Sequence, residues 1–399
     1  MSTDAGLSLE PHRKELTGYC YRMLGSAFEA DDAVQETMLR AWRGAESFEG
    51  RSSLRSWLYR IATNVCLDML RGEKRRALPM DLGPSSPPVE SLLRPSPSED
   101  LWVTPIPSLA VLPEHGDPAE IAATRDSVRL AFVTALQHLP PRQRAALILC
   151  EVLRVPAAEA AGILDTTVPS VNSALQRARG TLAALPDEQR PADVDTASMD
   201  TVSAHLLDRY VDAFQRYDMT ALLALIHEDA VMTMPPFGFW LRGGQDITTW
   251  MALPGPSKCA GSVLVPASAN GLQAWGQYKP DGSPWALQVH EASGDRLIRL
   301  TFFLDAGRLF PLFGLPARIP AQPLPARELA LQAGAADAGY RRLRPVDVHG
   351  VAAVIGQQVE LGGELLDYFL LAARGERRAV LRPGERGRLG VLQLRVDVE

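Results

Sequence analysis

The residues best equipped for chemistry lie between Phe48 and Arg76, FEGRSSLRSWLYRIATNVCLDMLRGEKRR. Wound as a helix, this stretch puts Leu54, Leu58, Ile61, Val65 and Met69 on one side, with Trp57 at the edge. Arg60, Thr63, Asn64, Arg71 and Lys74 gather on the other side. Guanidinium and ammonium groups suit phosphate, an amide suits base edges, and nearby aromatics suit stacking, so this face has the makeup of a nucleic-acid surface. An amphipathic helix with a solvated basic face would show the same pattern. The neighbouring elements have to decide.

Immediately upstream, Val34, Met38, Ala41 and Ala45 form an apolar stripe with Trp42 beside it, while Asp32, Glu36, Arg40 and Arg43 project oppositely. Acidic residues lead and arginines follow, as the helix dipole favours. Further on, Leu139-Pro140-Pro141 opens a helix in which Ala145, Leu149 and Val152 share a face, and Ala157–Leu164 forms a second, short one. Thr167 is the expected N-cap of a third helix, with Pro169 tolerated in its first turn. There Val171, Leu175, Ala178 and Leu182 must pack inward, leaving Ser170, Asn172, Ser173, Gln176 and Arg177 outward. Two short helices, the second ending polar and basic, describe a helix-turn-helix whose second helix reads a major groove.

Tyr19–Trp42, YCYRMLGSAFEADDAVQETMLRAW, followed by the Phe48 segment, resembles region 2 of the extracytoplasmic-function sigma factors of the sigma-70 family. Leu139–Leu182 resembles sigma region 4, and region 3 of primary sigma factors has no counterpart. The resemblance implies an RNA polymerase sigma factor that recognises −10 and −35 promoter elements and promotes initiation. It makes Asp32, Gln35 and Glu36 contacts to the β′ clamp helices of core polymerase, and puts region 4 on the β flap. It makes Arg60, Asn64, Arg71, Lys74, Arg75 and Arg76 contacts to −10 DNA, and Ser170, Asn172, Ser173, Gln176 and Arg177 contacts to −35 DNA. Trp57 is either a wedge against unstacked bases or a core residue, the second being favoured.

The chain has 399 residues, 46% of them hydrophobic, enough for two to four domains with packed cores. Its net charge of −6 argues against a nonspecific DNA coat, yet Arg51–Arg76 carries seven basic residues against Asp68 and Glu73, a local +5. Cys20, Cys66, Cys150 and Cys259 are widely spaced, without CxxC or a histidine at ligand spacing, so core thiols are expected rather than a zinc site. No signal peptide and no long apolar run is found, which implies a cytoplasmic protein away from membranes.

The expected organisation is region 2 over 10–77, a Pro/Ser-rich linker over 78–120, region 4 over 121–185, an α+β domain over 200–318 and an extension over 319–399. The linker reads as an extended, mobile tether, spanning promoter elements roughly 60–70 Å apart. Leu101-Trp102 is odd for a pure spacer, and either docks on a neighbouring domain or enters the polymerase channel. From Ser203 onward, two helices, a strand, another helix and further strands resemble the SnoaL-like branch of the nuclear-transport-factor-2-like fold, a cone enclosing a pocket. This resemblance implies modulation of sigma activity. His227 and Asp229 are acid/base candidates there, with Trp240, Trp275 and Tyr278 as candidate walls around a small ligand. Packing and capping at a helix-to-strand junction explain His227 and Asp229 better. The expected fold is therefore multidomain: two all-α DNA-binding modules, an α+β cone and a short extension in which ERRAVLRP and GRLGVLQLRVDVE alternate like strands. No catalysis and no cofactor is required of such a chain. A pocket enzyme with a regulatory N-terminal half, and a repressor that binds DNA unaided, are the alternatives; the exposed acidic helix speaks against the second.

Overall fold

The computed structural model divides the chain into two compact units, Met1–Pro323 and Leu324–Glu399. It describes residues 8–48, 50, 52–72, 75–94, 101–113, 117–186, 189, 199–253, 259–321, 379–383 and 394–398. In the second unit the described residues are two antiparallel strands, pairing Ala379 with Val398 and Pro383 with Leu394.

The first unit begins with α1 (Arg13–Leu24), α2 (Ala27–Gly44) and α3 (Leu54–Met69). Ser26 caps α2 by accepting the Glu29 N–H, and Ser53 caps α3 by accepting the Ser56 N–H. α1 is the centre of this module: Leu16, Tyr19, Cys20, Met23 and Leu24 are all fully buried. α2 packs Ala30, Ala33, Val34 and Ala41 against it, and α3 packs Leu58, Ala62, Val65 and Cys66. Thr63 belongs to this core and not to the outer basic face, because its hydroxyl bonds Tyr19 Oη at 2.7 Å and the Tyr59 carbonyl at 2.6 Å.

The short α4 (Ser108–Val111) leads into α5 (Pro118–Val128), α6 (Leu130–Gln137), α7 (Pro141–Leu147), α8 (Ala157–Ile163) and α9 (Val168–Ala183). Thr167 accepts the Ser170 N–H at the start of α9, and Val171, Leu175 and Ala178 turn inward, as their spacing requires.

The α+β part contains α10 (Met199–Gln215), α11 (Met219–Leu225), β1 (Ile226–Thr233), β2 (Trp240–Arg242), α12 (Gly244–Ala252), β3 (Val263–Ala269), β4 (Leu272–Tyr278), β5 (Pro284–Ser293), β6 (Arg296–Phe303) and α13 (Ala306–Leu312). The six strands form one mixed sheet in the order β2-β1-β6-β5-β4-β3, parallel only between β1 and β6. Both faces of this sheet are covered. Trp275, Ala286 and Phe302 share an apolar cluster with Tyr210 and Phe214 of α10. The alternate residues Ala274, Leu287 and Val289 join α13 and the helical modules in one continuous core. This double burial is why β5 shows an almost unbroken buried run and no simple alternation.

Candidate nucleic-acid interface

On α3, Arg60 and Asn64 are exposed on one face, with Arg71 exposed just beyond the helix end. Arg71 lies 3.3 Å from Asp68. Arg75 is exposed too, with its guanidinium 2.7 Å from His138 Nδ1. Arg76 does not join them: it is buried, ion-paired with Glu29, and donates to the Trp102 carbonyl at 3.2 Å. Its charge holds α2 to the linker, which corrects the expectation of a DNA contact. Lys74 lies outside the described residues. Trp57 is half-buried, 4.9 Å from the Phe48 ring, in keeping with a packing role.

On α9, Ser170, Asn172, Ser173, Gln176 and Arg177 are all exposed and share the outward side. On α2, Asp32 and Gln35 are exposed and Glu36 is half-buried, pairing with Arg40 at 2.6 Å. Leu39 and Trp42, at +4 and +7 from Gln35, continue this stripe with 39% and 71% exposure. The sequence pattern set Trp42 beside the buried stripe; the helix turns it to the solvent side.

The two helical modules pack on each other. Ser56 Oγ of α3 donates to the Glu159 carboxylate of α8, and the Arg60 guanidinium lies 3.8 Å from Asp165 in the turn after α8. A cleft of ≈ 490 Å³ between these helices is lined by Ser53, Ser56, Trp57, Arg60, Glu159 and Ile163, among others. Deeper in, Arg22 donates to Ser127 Oγ at 2.6 Å and to the Ser127 carbonyl at 3.1 Å. Arg144 donates to the Met23 carbonyl at the end of α1 and to Gln137 Oε1 at 2.6 Å, reaching also the Gln137 and Leu139 carbonyls. Burial lowers both guanidiniums to about 10, while the helix-end carbonyl acceptors make the charges tolerable.

The linker is not a free tether. Trp102, Val103 and Ile106 are buried, the Leu101 and Ala77 carbonyls accept from Ala77 N and Val103 N, and Thr104 Oγ1 accepts the Ala27 N–H at 2.8 Å. Leu101-Trp102 therefore docks on the first module. Earlier in the linker, the Gly83 carbonyl accepts from Trp240 Nε1 at 2.8 Å, and Ser86 N donates to the Trp240 carbonyl. Apolar side chains spaced among prolines read as a spacer in sequence because their partners are far away in the chain.

Region 2, the linker and α5 meet at the β3–β4 turn. Asn270 and Gly271 have φ of +54° and +75°, the conformation a two-residue Asn-Gly hairpin needs. Asn270 is fully buried: Nδ2 donates to Tyr21 Oη of α1 and to the Val128 carbonyl of α5, both at 2.7 Å. Oδ1 accepts the Ile106 N–H at 3.1 Å, and the Asn270 N–H returns to the Ile106 carbonyl. Ser108 Oγ accepts from Ser268 Oγ at 2.7 Å and from Gly271 N at 3.0 Å. A Cβ on Gly271 would stand 2.5 Å from Arg125 Cγ.

The residues expected to wall a pocket in the α+β part do not converge. His227 is half-buried and accepts the Asp229 N–H at Nδ1; Asp229 is exposed, 3.4 Å from the Arg242 guanidinium. Trp240 faces the linker, and Tyr278 donates to the Pro316 carbonyl at 2.6 Å. Trp275 alone of the three aromatics joins the cluster under α10, 5.9 Å from Tyr210 and 5.7 Å from His290. The interior polar groups form a chain instead: Tyr210 Oη donates to Gln288 Oε1, Gln288 Nε2 to Gln277 Oε1, and Gln277 Nε2 to Ser262 Oγ. His290 sits against this chain with Nε2 3.1 Å from Gln288 Oε1 and Nδ1 unpartnered, and burial lowers its pKa to about 3.

Two family profiles match the helical modules: Sigma-70 region 2 over residues 9–76 and Sigma-70, region 4 over residues 129–182. The ECF RNA polymerase sigma factor SigG of Mycobacterium tuberculosis (strain ATCC 25618 / H37Rv) is 44% identical over 320 residues, covering 78% of this chain and 84% of that protein. The chain belongs to the ECF RNA polymerase sigma factors. SigM, a further ECF sigma factor of the same organism, is 30% identical over 174 residues, 44% of this chain and 72% of its own. Among solved structures, the crystal structure of the M. tuberculosis extracytoplasmic function sigma factor SigJ covers 77% of this chain and 99% of that chain, at 20% identity and a TM-score of 0.49.

As an ECF sigma factor the protein binds core RNA polymerase and promoter DNA in transcription initiation. The region 2 match spans α1–α3 and the region 4 match spans α6–α9, with the α+β part following them. Sequence reasoning missed Leu39, Glu159, Asp165, Asn270 and His290. An Asn-Gly pair between two strands signals a tight hairpin; nothing local in the sequence says what that hairpin touches.

Proposed function

We propose that this sigma factor engages the β′ clamp helices of core polymerase through Asp32, Gln35 and Glu36, with Leu39 and Trp42 extending that surface, while region 4 docks on the β flap. Arg60, Asn64, Arg71, Lys74 and Arg75 contact −10 DNA, with Trp57 bracing the helix that carries them. Ser170, Asn172, Ser173, Gln176 and Arg177 read the −35 element. The SnoaL-like domain modulates this activity by holding regions 2 and 4 together, so that polymerase must release them before both promoter elements are spanned. The observation that carries the last step is Asn270, one side chain bonded to region 2, to the linker and to the helix leading into region 4. No step of this account requires turnover or a bound small molecule.

Run-off transcription with purified core polymerase tests the reading, using a promoter selected by the holoenzyme from a random duplex pool. Asp32→Ala with Glu36→Ala should lower the yield at limiting chain at least several-fold, restored by excess chain. Asn270→Ala should lower the concentration of chain needed for half-maximal transcript. Loss of transcript that excess chain does not restore would contradict the first assignment. An unchanged half-maximal concentration in folded Asn270→Ala would contradict the second.

A further inference from the structure

Between Arg154 and Arg177 the chain carries two charged residues, and both are acidic: Glu159 and Asp165. That is an unexpected choice for this position. The first helix of a helix-turn-helix and the turn after it cross the DNA backbone, where carboxylates repel phosphate. Both acids instead point at α3. Glu159 takes the Ser56 hydroxyl, and Asp165 stands 3.8 Å from Arg60, a residue proposed above as a −10 contact. Between them opens the ≈ 490 Å³ cleft with Trp57 and Arg60 on its region 2 wall and Glu159 on its region 4 wall.

We infer that Glu159 and Asp165 act as an internal substitute for promoter phosphates, occupying the −10 surface of α3 until region 4 swings away. This rests on the reading of α3 as the −10 helix. The chemistry is that of the ligand replaced: an anionic oxygen near a guanidinium, and another accepting from a hydroxyl at the start of the helix. The contact is weak by construction, since the Asp165 side chain is 87% exposed and Arg60 is 53% exposed. A mimic of this kind discriminates against stray single strands without resisting polymerase. Asp165 has φ of +50°, a conformation that favours Asp and Asn, so Asn can replace it without new strain.

The test measures binding of the full chain, without polymerase, to two fluorescent oligonucleotides from a holoenzyme-selected promoter: the single-stranded −10 non-template segment and the −35 duplex. The double variant Glu159→Gln/Asp165→Asn is expected to bind the −10 strand about two- to five-fold more tightly than the parent, a larger gain than on the −35 duplex, where only backbone repulsion is relieved. Equal tightening on both oligonucleotides would reduce the effect to general repulsion of DNA, and no tightening on the −10 strand would overturn the inference outright. Arg60→Ala with Asn64→Ala runs alongside. If that pair leaves −10 binding intact, the assignment of α3 itself fails. If it abolishes −10 binding while the acidic variants change nothing, only the mimicry fails.

Discussion

α9 and α3 offer the same kinds of side chain, arginine and amide on an amphipathic helix, in opposite circumstances. Every proposed reading residue of α9 is exposed. α3 has region 4 laid against its first turns, with Ser56 bonded and Arg60 faced by a carboxylate. The difference lies in what surrounds the two helices. α9 ends the helical modules and presents its face outward, whereas α3 meets α8 because Arg22, Arg144 and Asn270 fix the modules behind it. On the proposed assignment the two promoter surfaces are not equally available in the free chain, and the α+β domain, through Asn270, is proposed to set which one is.

The comparison breaks most completely at Asn270. Asn270→Ala removes three side-chain hydrogen bonds from a fully buried site and puts alanine at positive φ, so it should cost about 3 kcal/mol of stability in denaturant unfolding. It should also raise hydrogen exchange at Ile106, whose N–H is bonded to Oδ1. Gly271→Val should act in the same direction through its clash with Arg125.

Arg144→Lys is the next step down. An ammonium cannot serve the Met23, Gln137 and Leu139 acceptors together, and about 2 kcal/mol should be lost in thermal or denaturant unfolding, with the α3–α8 contact loosened. On the free side, Arg177→Ala should weaken −35 duplex binding by about 1–3 kcal/mol and leave unfolding unchanged, which sharpens the contrast because the Arg177 side chain is exposed.

His290 gives a pH signature confined to the α+β domain. Its native pKa of about 3 lies below the ordinary histidine value, so the unfolded chain takes up the proton first. Stability should be level above about pH 6.5 and fall as pH drops from there toward 3. Replacing His290 by Gln should flatten that slope, read as the change of thermal midpoint between pH 7 and 5. A slope unchanged in the variant would assign the acid lability to other groups.

Much of this was legible in sequence, and the parts that were not have a common cause. The α3 and α9 faces, the Thr167 cap and the inward set Val171, Leu175 and Ala178 follow from periodicity within one helix. Arg76 and Thr63 were misassigned because their partners, Glu29 and Tyr19, come from other helices and outweigh the local pattern. His227, Asp229 and Trp240 suggested a pocket by residue type, but side-chain direction at a strand entrance depends on sheet register and on a linker more than a hundred residues upstream. The linker itself was misread as mobile for the same reason: composition reports turn chemistry and says nothing of a distant hairpin waiting to receive Ile106 and Ser108.

The most direct test of the central claim, that the β3–β4 hairpin holds the two promoter modules together, is a pulsed dipolar distance measurement between spin labels replacing the exposed Arg71 and Arg177 in the full chain. The account predicts one narrow, short distance in the free chain, and a longer and broader distribution both in Asn270→Ala and on addition of core polymerase. A broad distribution already present in the free chain, or a narrow one that survives Asn270→Ala, would contradict it.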